Sequence, residues 1–390
     1  MQKKYLYILA AAHLCNDISS GALPAVLPFF VTYYGMNYTD IAGIMFASCF
    51  LSSFIQPIFG YLADKTSFQW FMSIGVLLTG VTFAVTGFVS NYWLIFAAVT
   101  VMGVGAAVFH PEAARLVNSV SGNQRGSGMS IFSIGGNGGY GFGPLIAVAV
   151  IELFGMKGLL VFGIVGVAMA MILLYIVPKI KKTAEAMVRE KENADIANHI
   201  EHKEASNDWN GFARLTVVIV FRSIVVTALG SFLPLFCINI MGASNAVGSL
   251  TLSVFNLVGI VTTMIGGYLA DHWGFVTVLK RGSFFMVPLL IAAVFLQNIW
   301  ILFILLLPLS LSMHGTYSSF VVLGQSYLAK SIGFASGVTL GLSFSAGGIV
   351  VPFMGHFADD FGIMTVMIII VALAAVMAVS TLFLPEPKEN

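Results

Sequence analysis

The stretch AAHLCNDISSGALPAVLPFF, residues 11–30, interrupts a long apolar run with the polar side chains of His13, Asn16 and Asp17. The full run, about residues 5–33, is long enough to cross the roughly 30 Å hydrocarbon core of a bilayer at about 1.5 Å per residue. Asp17 then falls near the middle of the membrane, where an ionisable group is costly unless it faces a polar cavity or a partner. The sequence therefore predicts a polar site inside a membrane protein.

The composition supports this reading, with 58% hydrophobic residues, 9% charged residues and a mean hydropathy of +0.94. A soluble protein has about 25% charged residues. The net charge of +1 provides no basic excess to neutralise phosphates, which argues against nucleic-acid binding. The three cysteines lie in apolar segments without metal-type spacing, so we interpret them as small buried residues.

Apolar segments of spanning length occur twelve times along the chain, six on each side of a charged stretch. Their approximate bounds are 5–33, 38–62, 68–88, 91–116, 124–152, 156–177, 211–238, 244–270, 276–296, 298–320, 331–357 and 360–384. The predicted fold is an all-α integral membrane protein with twelve transmembrane helices. We interpret the first segment as a retained span rather than a signal peptide, because no small-residue cleavage site precedes its polar cluster.

The charged stretch divides the chain into a six-helix bundle of residues 1–178, a linker of residues 179–210 and a second six-helix bundle of residues 211–390. The linker has dense mixed charge, and its pattern indicates a solvated helix or coil without a site.

Lysine and arginine outside the spans fall almost entirely on one side of the predicted topology. They are Lys3, Lys4, Lys65, Arg115, Arg125, the linker set, Arg214, Lys280, Arg281, Lys330 and Lys388. The opposite loops contain only Lys157. Short loops rich in these residues stay in the cytoplasm, so both termini and the linker are predicted to be cytoplasmic.

The two halves resemble each other. The sequence GYLAD ends the second predicted span at residues 60–64 and the eighth at 267–271. Pro144 in the fifth span corresponds to Pro352 in the eleventh, and His110 corresponds to His314. Paired repeats are how many secondary transporters place a site at mid-membrane, and this pattern favours an internal duplication.

The loop after the second span resembles that of the major facilitator superfamily, which reads Gly-x-x-x-Asp-Arg/Lys before a glycine and two arginines. Gly60, Asp64 and Lys65 match, whereas residues 67–70 replace the downstream glycine and basic pair. Gly267 and Asp271 match in the second half. The resemblance implies two pseudo-symmetric bundles, with an aspartate that caps a neighbouring helix and closes a cytoplasmic gate. A tight glycine turn with a solvated aspartate is the alternative.

The fifth span reads GGNGGYGFGP at residues 135–144 and is similar to the antiporter motif of drug–proton exchangers, Gly-x-x-x-Gly-Pro. The resemblance implies a gating role for Gly143 and Pro144. Close helix packing without any effect on transport direction is the alternative, since glycines let helices approach each other.

Four stretches give a narrower resemblance to the fosmidomycin resistance family of bacterial drug exporters. They are HLCND with GALPAVLP at residues 13–28, Gln56-Pro57, FHPEAAR at 109–115, and QSYL at 325–328 with the glycines that follow as far as Asp359. Ala114 and Ala329 depart from the family pattern, where serine and proline are common. These departures affect the inference about the substrate more than the inference that the chain belongs to this family.

Proton coupling requires a buried carboxylate, and Asp17 and Glu112 are the candidates. The predicted substrate-binding residues are His13, Asn16, Gln56, His110, Asn137, Arg222 and His314. We hypothesise that an anionic substrate binds Arg222 and releases a carboxylate, which then takes up a proton. A permanent ion pair between Arg222 and Asp17 or Glu112 is the alternative.

Glu112 and Arg115 are three residues apart, share a helix face and are predicted to pair. Arg115 is also a gating candidate. Pro111 disfavours helix at His110, so this stretch is expected to be unwound. We predict no metal site and no cofactor, since the spacing of His13 with Asp17 and of His110 with Glu112 provides no complete cage.

These features predict a proton-coupled antiporter that exports a small toxic compound, either a fosmidomycin-like phosphonate or an amphiphilic drug, by alternating access. It is not an enzyme, and its partners are a small substrate, protons and lipid. We place it as a monomer in the bacterial cytoplasmic membrane. A symporter, uniporter or lipid flippase on the same fold remains an alternative, as does an intramembrane hydrolase using His110, Glu112 and His314.

Overall fold

The computed structural model describes residues 1–36, 38–66, 70–197 and 206–387. These residues form α-helices and one 3-10 helix, and the described chain contains no strand beyond an isolated bridge between Asn207 and Leu328. Three parts of the sequence discussed above lie outside the described residues. They are residues 67–69, where the loop after the second predicted span departs from the superfamily motif, the linker residues 198–205, and Lys388. The all-helical prediction is confirmed for the described chain.

The described chain forms two compact units. The first contains residues up to 197 together with 331–341, and the second contains 206–330 and 342–387. The helices of the first unit are α1 Lys3–Tyr34, α2 Tyr38–Lys65, α3 Phe71–Val85, α4 Tyr92–Ser121, α5 Arg125–Phe154, a 3-10 helix Gly155–Leu159 and α6 Leu160–Ala197.

The second unit continues the numbering. Its helices are α7 Trp209–Asn239, α8 Asn245–Trp273, α9 Phe275–Phe295, α10 Ile299–His314, α11 Tyr317–Tyr327, α12 Ile332–Phe361 and α13 Ile363–Thr381. The start of α12, within residues 331–341, groups with the first unit.

Nine helical segments of the described chain are long and apolar enough to cross a membrane, and one of them, Arg125–Glu190, includes two predicted spans. Helix α3 is apolar but has only 15 residues. The chain is therefore a multi-pass helical membrane protein, and the count of exactly twelve spans remains a prediction.

The two halves begin corresponding helices in the same way. The Asn91 side chain accepts hydrogen bonds from the backbone N–H groups of Trp93 and Leu94 at the start of α4. The Asn298 side chain does the same for Trp300 and Ile301 at the start of α10. Such caps satisfy N–H groups that have no partner within the helix. This shared cap agrees with the predicted duplication.

The predicted tenth span, 298–320, corresponds to the spanning segment Ile299–Tyr327, in which a short turn separates α10 from α11. At this turn, two side chains donate hydrogen bonds to the carbonyl oxygen of Met313. It accepts hydrogen bonds from Arg222 Nη2 at 3.1 Å and from Thr316 Oγ1 at 3.0 Å. Helix α4 continues through His110 and Pro111, so the expectation of an unwound stretch there is wrong.

The predicted solvated character of the linker is wrong near its beginning. Helix α6 continues from the membrane segment to Ala197, and Val177, Ile180 and Ala184 are buried along one face. Their spacing of three and four residues is an apolar stripe of the kind that packs a helix against its neighbours. Lys181 lies in the same region and is only 9% exposed.

Candidate functional site

Asp17 lies in the middle of α1 and is 5% exposed. Its carboxylate oxygens contact two imidazole rings: Oδ2 lies 3.1 Å from Nε2 of His13, and Oδ1 lies 3.1 Å from Nε2 of His110. Asn16 donates a hydrogen bond of 2.9 Å to the same Oδ1 atom. We call His13, Asp17 and His110 the His–Asp–His cluster. Helix α1 supplies its first two members and α4 the third.

Backbone carbonyls and a ring set the orientation of the two histidines. The Nδ1 atom of His13 lies 2.8 Å from the carbonyl oxygen of Phe132, and that of His110 lies 2.8 Å from the carbonyl oxygen of Ala106. The His13 ring also stacks on the Phe132 ring at a centroid distance of 4.0 Å. These contacts leave both Nε2 atoms directed at Asp17.

The glycine-rich stretch of α5 lets that helix lie directly on the cluster. A Cβ atom added at Gly136 would lie 2.5 Å from Cε1 of His13, and one at Gly139 would lie 2.9 Å from Cβ of Asp17. Both distances are too short for real carbon contacts. The close packing that glycines permit in membrane helices is therefore present at this site.

Replacing Gly136 with Ala should displace His13 from Asp17, because the new methyl group overlaps the imidazole ring. Overpacking of this kind costs about 1–3 kcal/mol. Gly141→Ala is the matched control, since a Cβ there would meet nothing within 4 Å. We expect a lower melting temperature in detergent, and slower transport in liposomes, for Gly136→Ala alone. Equal behaviour of the two variants would contradict the packing argument.

Asn16 links the cluster to α3. It is fully buried, and its side-chain oxygen accepts a hydrogen bond of 3.1 Å from Thr79 Oγ1. Both ends of its amide are thus used inside the first unit, which fits an orienting role for Asp17. Asn137, another predicted substrate residue, is exposed on α5, and Gln56 is buried in α2.

Glu112 forms a second ionic site on α4, two residues after His110. The predicted pair with Arg115 is present, with Arg115 Nε 2.9 Å from Oε2. Lys181 Nζ lies 2.9 Å from Oε1, and the Glu112 side chain is only 2% exposed. The sequence interpretation missed Lys181 because it assigned this residue to a solvated linker. The apolar stripe around it was the signal that could have identified it.

Asp64 caps the beginning of α12 within the first unit. Its Oδ1 accepts a hydrogen bond of 2.7 Å from the backbone N–H of Gly333, and its Oδ2 accepts one of 2.9 Å from that of Phe334. A carboxylate at this position is favoured by the partial positive charge of a helix N-terminus. The neighbouring Gly60 contacts Gly333 closely, and Lys65 lies exposed at the end of α2.

The remaining gating candidates are distributed along their helices. Gly143 is buried where α5 meets α1, and a Cβ there would lie 2.8 Å from the backbone nitrogen of Ala22. Pro144 follows it inside α5. Gly267 and Asp271 lie near the end of α8, in the position that Gly60 and Asp64 occupy in α2.

Arg222 and His314 belong to the second unit. Arg222 is 6% exposed, and its guanidinium carbon lies 5.3 Å from the ring centroid of Tyr317 and 5.2 Å from that of Phe320. Among the residues that the structure describes, its Nε atom has no hydrogen-bond partner. His314 Nδ1 lies 3.2 Å from Ser310 Oγ. The arrangement is a buried cation beside aromatic rings with one donor unused.

Residues 9–352 match the sequence model of the Major Facilitator Superfamily. The chain belongs to this superfamily. The match covers both halves of the chain and confirms the membership predicted from the glycine and aspartate motifs. As a major facilitator protein, the chain is a transporter that binds a small-molecule substrate.

Two relatives match nearly the whole chain. The fosmidomycin resistance protein of Escherichia coli strain K12 is 25% identical over 382 residues, which is 98% of this chain and 93% of the relative. The uncharacterized MFS-type transporter YfnC of Bacillus subtilis strain 168 is 27% identical over 390 residues, with the same shares. The narrower resemblance drawn from the sequence motifs agrees with the first of these.

The fold is also similar to a solved transporter. The major facilitator transporter FucP, whose crystal structure is in the outward conformation, matches with a TM-score of 0.73 at 18% identity over 98% of each chain. At this identity the similarity establishes the fold alone.

Proposed function

We propose that this major facilitator protein is a proton-coupled antiporter that exports a small toxic compound by alternating access. The observation that carries the proposal is the buried His–Asp–His cluster, in which a carboxylate contacts two imidazoles at 3.1 Å inside a membrane bundle. Intramembrane ionisable groups mark ion and substrate paths, and histidine exchanges protons near neutral pH. The cluster is the proton-binding site in this proposal.

Substrate and protons compete for the same two nitrogen atoms. A protonated Nε2 donates to Asp17, whereas an unprotonated Nε2 offers a lone pair to a hydroxyl or N–H donor of a substrate. Binding of substrate at His13 and His110 thus requires that protons leave. This competition gives exchange in opposite directions without a direct reaction between substrate and proton. Asp17 is the coupling carboxylate here, and Glu112, held by Arg115 and Lys181, has an electrostatic role.

The substrate class follows from Arg222 and from the relatives. A buried guanidinium with an unused Nε donor fits an oxygen of a phosphonate or carboxylate, and the rings of Tyr317 and Phe320 fit an apolar portion. A fosmidomycin resistance protein is similar over 98% of this chain. We therefore propose an anionic or amphiphilic drug as the substrate, with Arg222 and His314 as its contacts in the second unit.

The gate uses the contacts at the ends of the helices. Asp64 and Gly60 hold the beginning of α12, with Lys65 and Arg115 as nearby cations, and Gly267 with Asp271 forms the corresponding motif in the second half. Gly143 and Pro144 permit a change in the packing of α5 on α1. The protein works as a monomer in the bacterial cytoplasmic membrane, with both termini in the cytoplasm.

The direct test is proton movement in proteoliposomes that contain a pH dye. The liposomes are challenged with fosmidomycin as a phosphonate probe and with a neutral lipophilic drug. Antiport predicts a proton flux driven by substrate and opposite to it in direction. Substrate movement without proton flux would mean uniport or another coupling ion, and flux in the same direction would mean symport.

Replacing Arg222 with Ala should abolish fosmidomycin transport, because the anionic group loses its charged donor. Arg189→Ala is the matched control, since Arg189 is exposed on the polar extension of α6. The measurement is uptake of radiolabelled fosmidomycin into inverted vesicles. We expect at least about a tenfold loss, equivalent to about 1.4 kcal/mol of binding. Normal uptake by Arg222→Ala would remove Arg222 from the substrate site.

A further inference from the structure

The hydrogen positions of the two cluster histidines are determined by their backbone partners. Each Nδ1 atom lies 2.8 Å from a carbonyl oxygen, that of Phe132 for His13 and that of Ala106 for His110. A carbonyl oxygen only accepts hydrogen bonds, so both Nδ1 atoms must carry a hydrogen. A neutral imidazole has a single N–H. In the neutral state, both Nε2 atoms therefore present lone pairs.

Those lone pairs would face the oxygens of Asp17. Each Nε2 lies 3.1 Å from a different carboxylate oxygen, a distance suited to a hydrogen bond. Without a hydrogen between them, each contact would place two lone pairs together. One hydrogen on Asp17 would satisfy one contact and leave the other repulsive. Both contacts are favourable only when two additional hydrogens are present.

We propose that the His–Asp–His cluster binds two protons, one on Nε2 of His13 and one on Nε2 of His110, while Asp17 stays ionised between them. Each proton forms one N–H bond and breaks no other bond. The loaded cluster has a net charge of +1, and the empty cluster has −1. Given the antiport proposed above, on which this step rests, two protons cross for each substrate molecule.

The helices around the cluster add no further titratable group to it in the described part of the first unit. Helix α3 contributes Thr79 through Asn16, and α5 contributes the ring and carbonyl of Phe132. Arg115 on α4 and Lys181 on α6 both pair with Glu112. The recorded partners of Asp64 on α2 are the backbone N–H groups of α12. The two protons therefore belong to the two histidines.

The two protons have different structural effects. His13 and Asp17 both belong to α1, so their contact is internal to one helix. His110 belongs to α4, so its contact with Asp17 joins two helices. Loss of the proton from His110 removes an attraction between α1 and α4 and replaces it with repulsion. The proton on His110 thus links the charge of the site to helix packing.

The protonation states can be measured without any substrate. Full-length protein labelled with ¹⁵N-histidine is placed in liposomes and studied by solid-state NMR over a range of pH, with His13→Gln and His110→Gln to assign signals. We expect both histidines to change from a neutral ring with hydrogen on Nδ1 to an imidazolium as pH falls. A neutral ring at either position throughout, or a neutral ring with hydrogen on Nε2, would overturn the proposal.

The transport ratio separates this inference from the antiport itself. In proteoliposomes with fosmidomycin as the probe, the wild type should move two protons per substrate and His110→Gln one, because glutamine still donates to Asp17 but binds no proton. His356→Gln, at an exposed position on α12, should keep a ratio of two. A wild-type ratio of one would overturn the two-proton site and leave antiport standing. Two imidazolium signals, without transport of either fosmidomycin or the neutral lipophilic drug, would count against the proposed function and leave the two-proton site standing.

Discussion

Asp17→Asn is expected to abolish substrate-driven proton flux while leaving the protein folded. Asparagine keeps the size of aspartate, and its amide can donate to the lone pair of one neutral Nε2 atom. One of the two contacts at 3.1 Å thus survives when both histidines are neutral. The carboxylate charge that holds two imidazolium rings is lost. Proton flux should therefore fall to the level of liposomes without protein.

The comparison for Asp17→Asn is Asp360→Asn, which makes the same chemical change at an exposed position near the end of α12. Both variants should elute as the wild type does in size-exclusion chromatography, and only the first should lose flux. Passive substrate movement by Asp17→Asn without protons would identify Asp17 as the coupling group. Wild-type proton flux in Asp17→Asn would place the coupling site elsewhere.

The sequence predicted the polar site on α1 because a carboxylate in a spanning segment is rare and costly. It could not predict which groups face Asp17. His13 is one helical turn away, so local spacing suggests that contact, but His110 is 93 residues distant and reaches Asp17 only through the packing of α4 on α1. The hydrogen bonds to the carbonyls of Phe132 and Ala106 also depend on packing and rotamers, which composition does not encode.

The fold was predictable to the level of spanning segments, but local contacts within them were not. At the turn between α10 and α11, the side chains of Arg222 and Thr316 donate hydrogen bonds to the carbonyl of Met313. A hydropathy profile does not detect such hydrogen bonds between side chains and the backbone. The burial at the start of the linker was missed because dense charge concealed a stripe formed by Val177, Ile180 and Ala184. That error also concealed Lys181, the second cation at Glu112.

Glu112→Gln is expected to destabilise the first unit strongly. The substitution leaves the buried cation Lys181 and the half-buried Arg115 facing each other across a neutral amide. Removing one partner of a buried ion pair costs about 3–5 kcal/mol, because the charge that remains is buried without compensation. We expect a clear fall in melting temperature in detergent, and slower transport as a consequence of lost structure.

A double variant distinguishes the loss of charge balance from the loss of glutamate itself. The double variant Glu112→Gln with Lys181→Gln lacks the glutamate and the buried one of its two cations. The remaining cation, Arg115, is half-buried and can turn toward water. The double variant should therefore melt at a higher temperature than Glu112→Gln alone, although each change removes an ion-pair member. Lys182→Gln, one residue along on the exposed face of α6, serves as the matched control and should have no effect. If Glu112→Gln melted like the wild type, Glu112 would not be holding α4 to α6, and its carboxylate would again be a candidate for proton coupling.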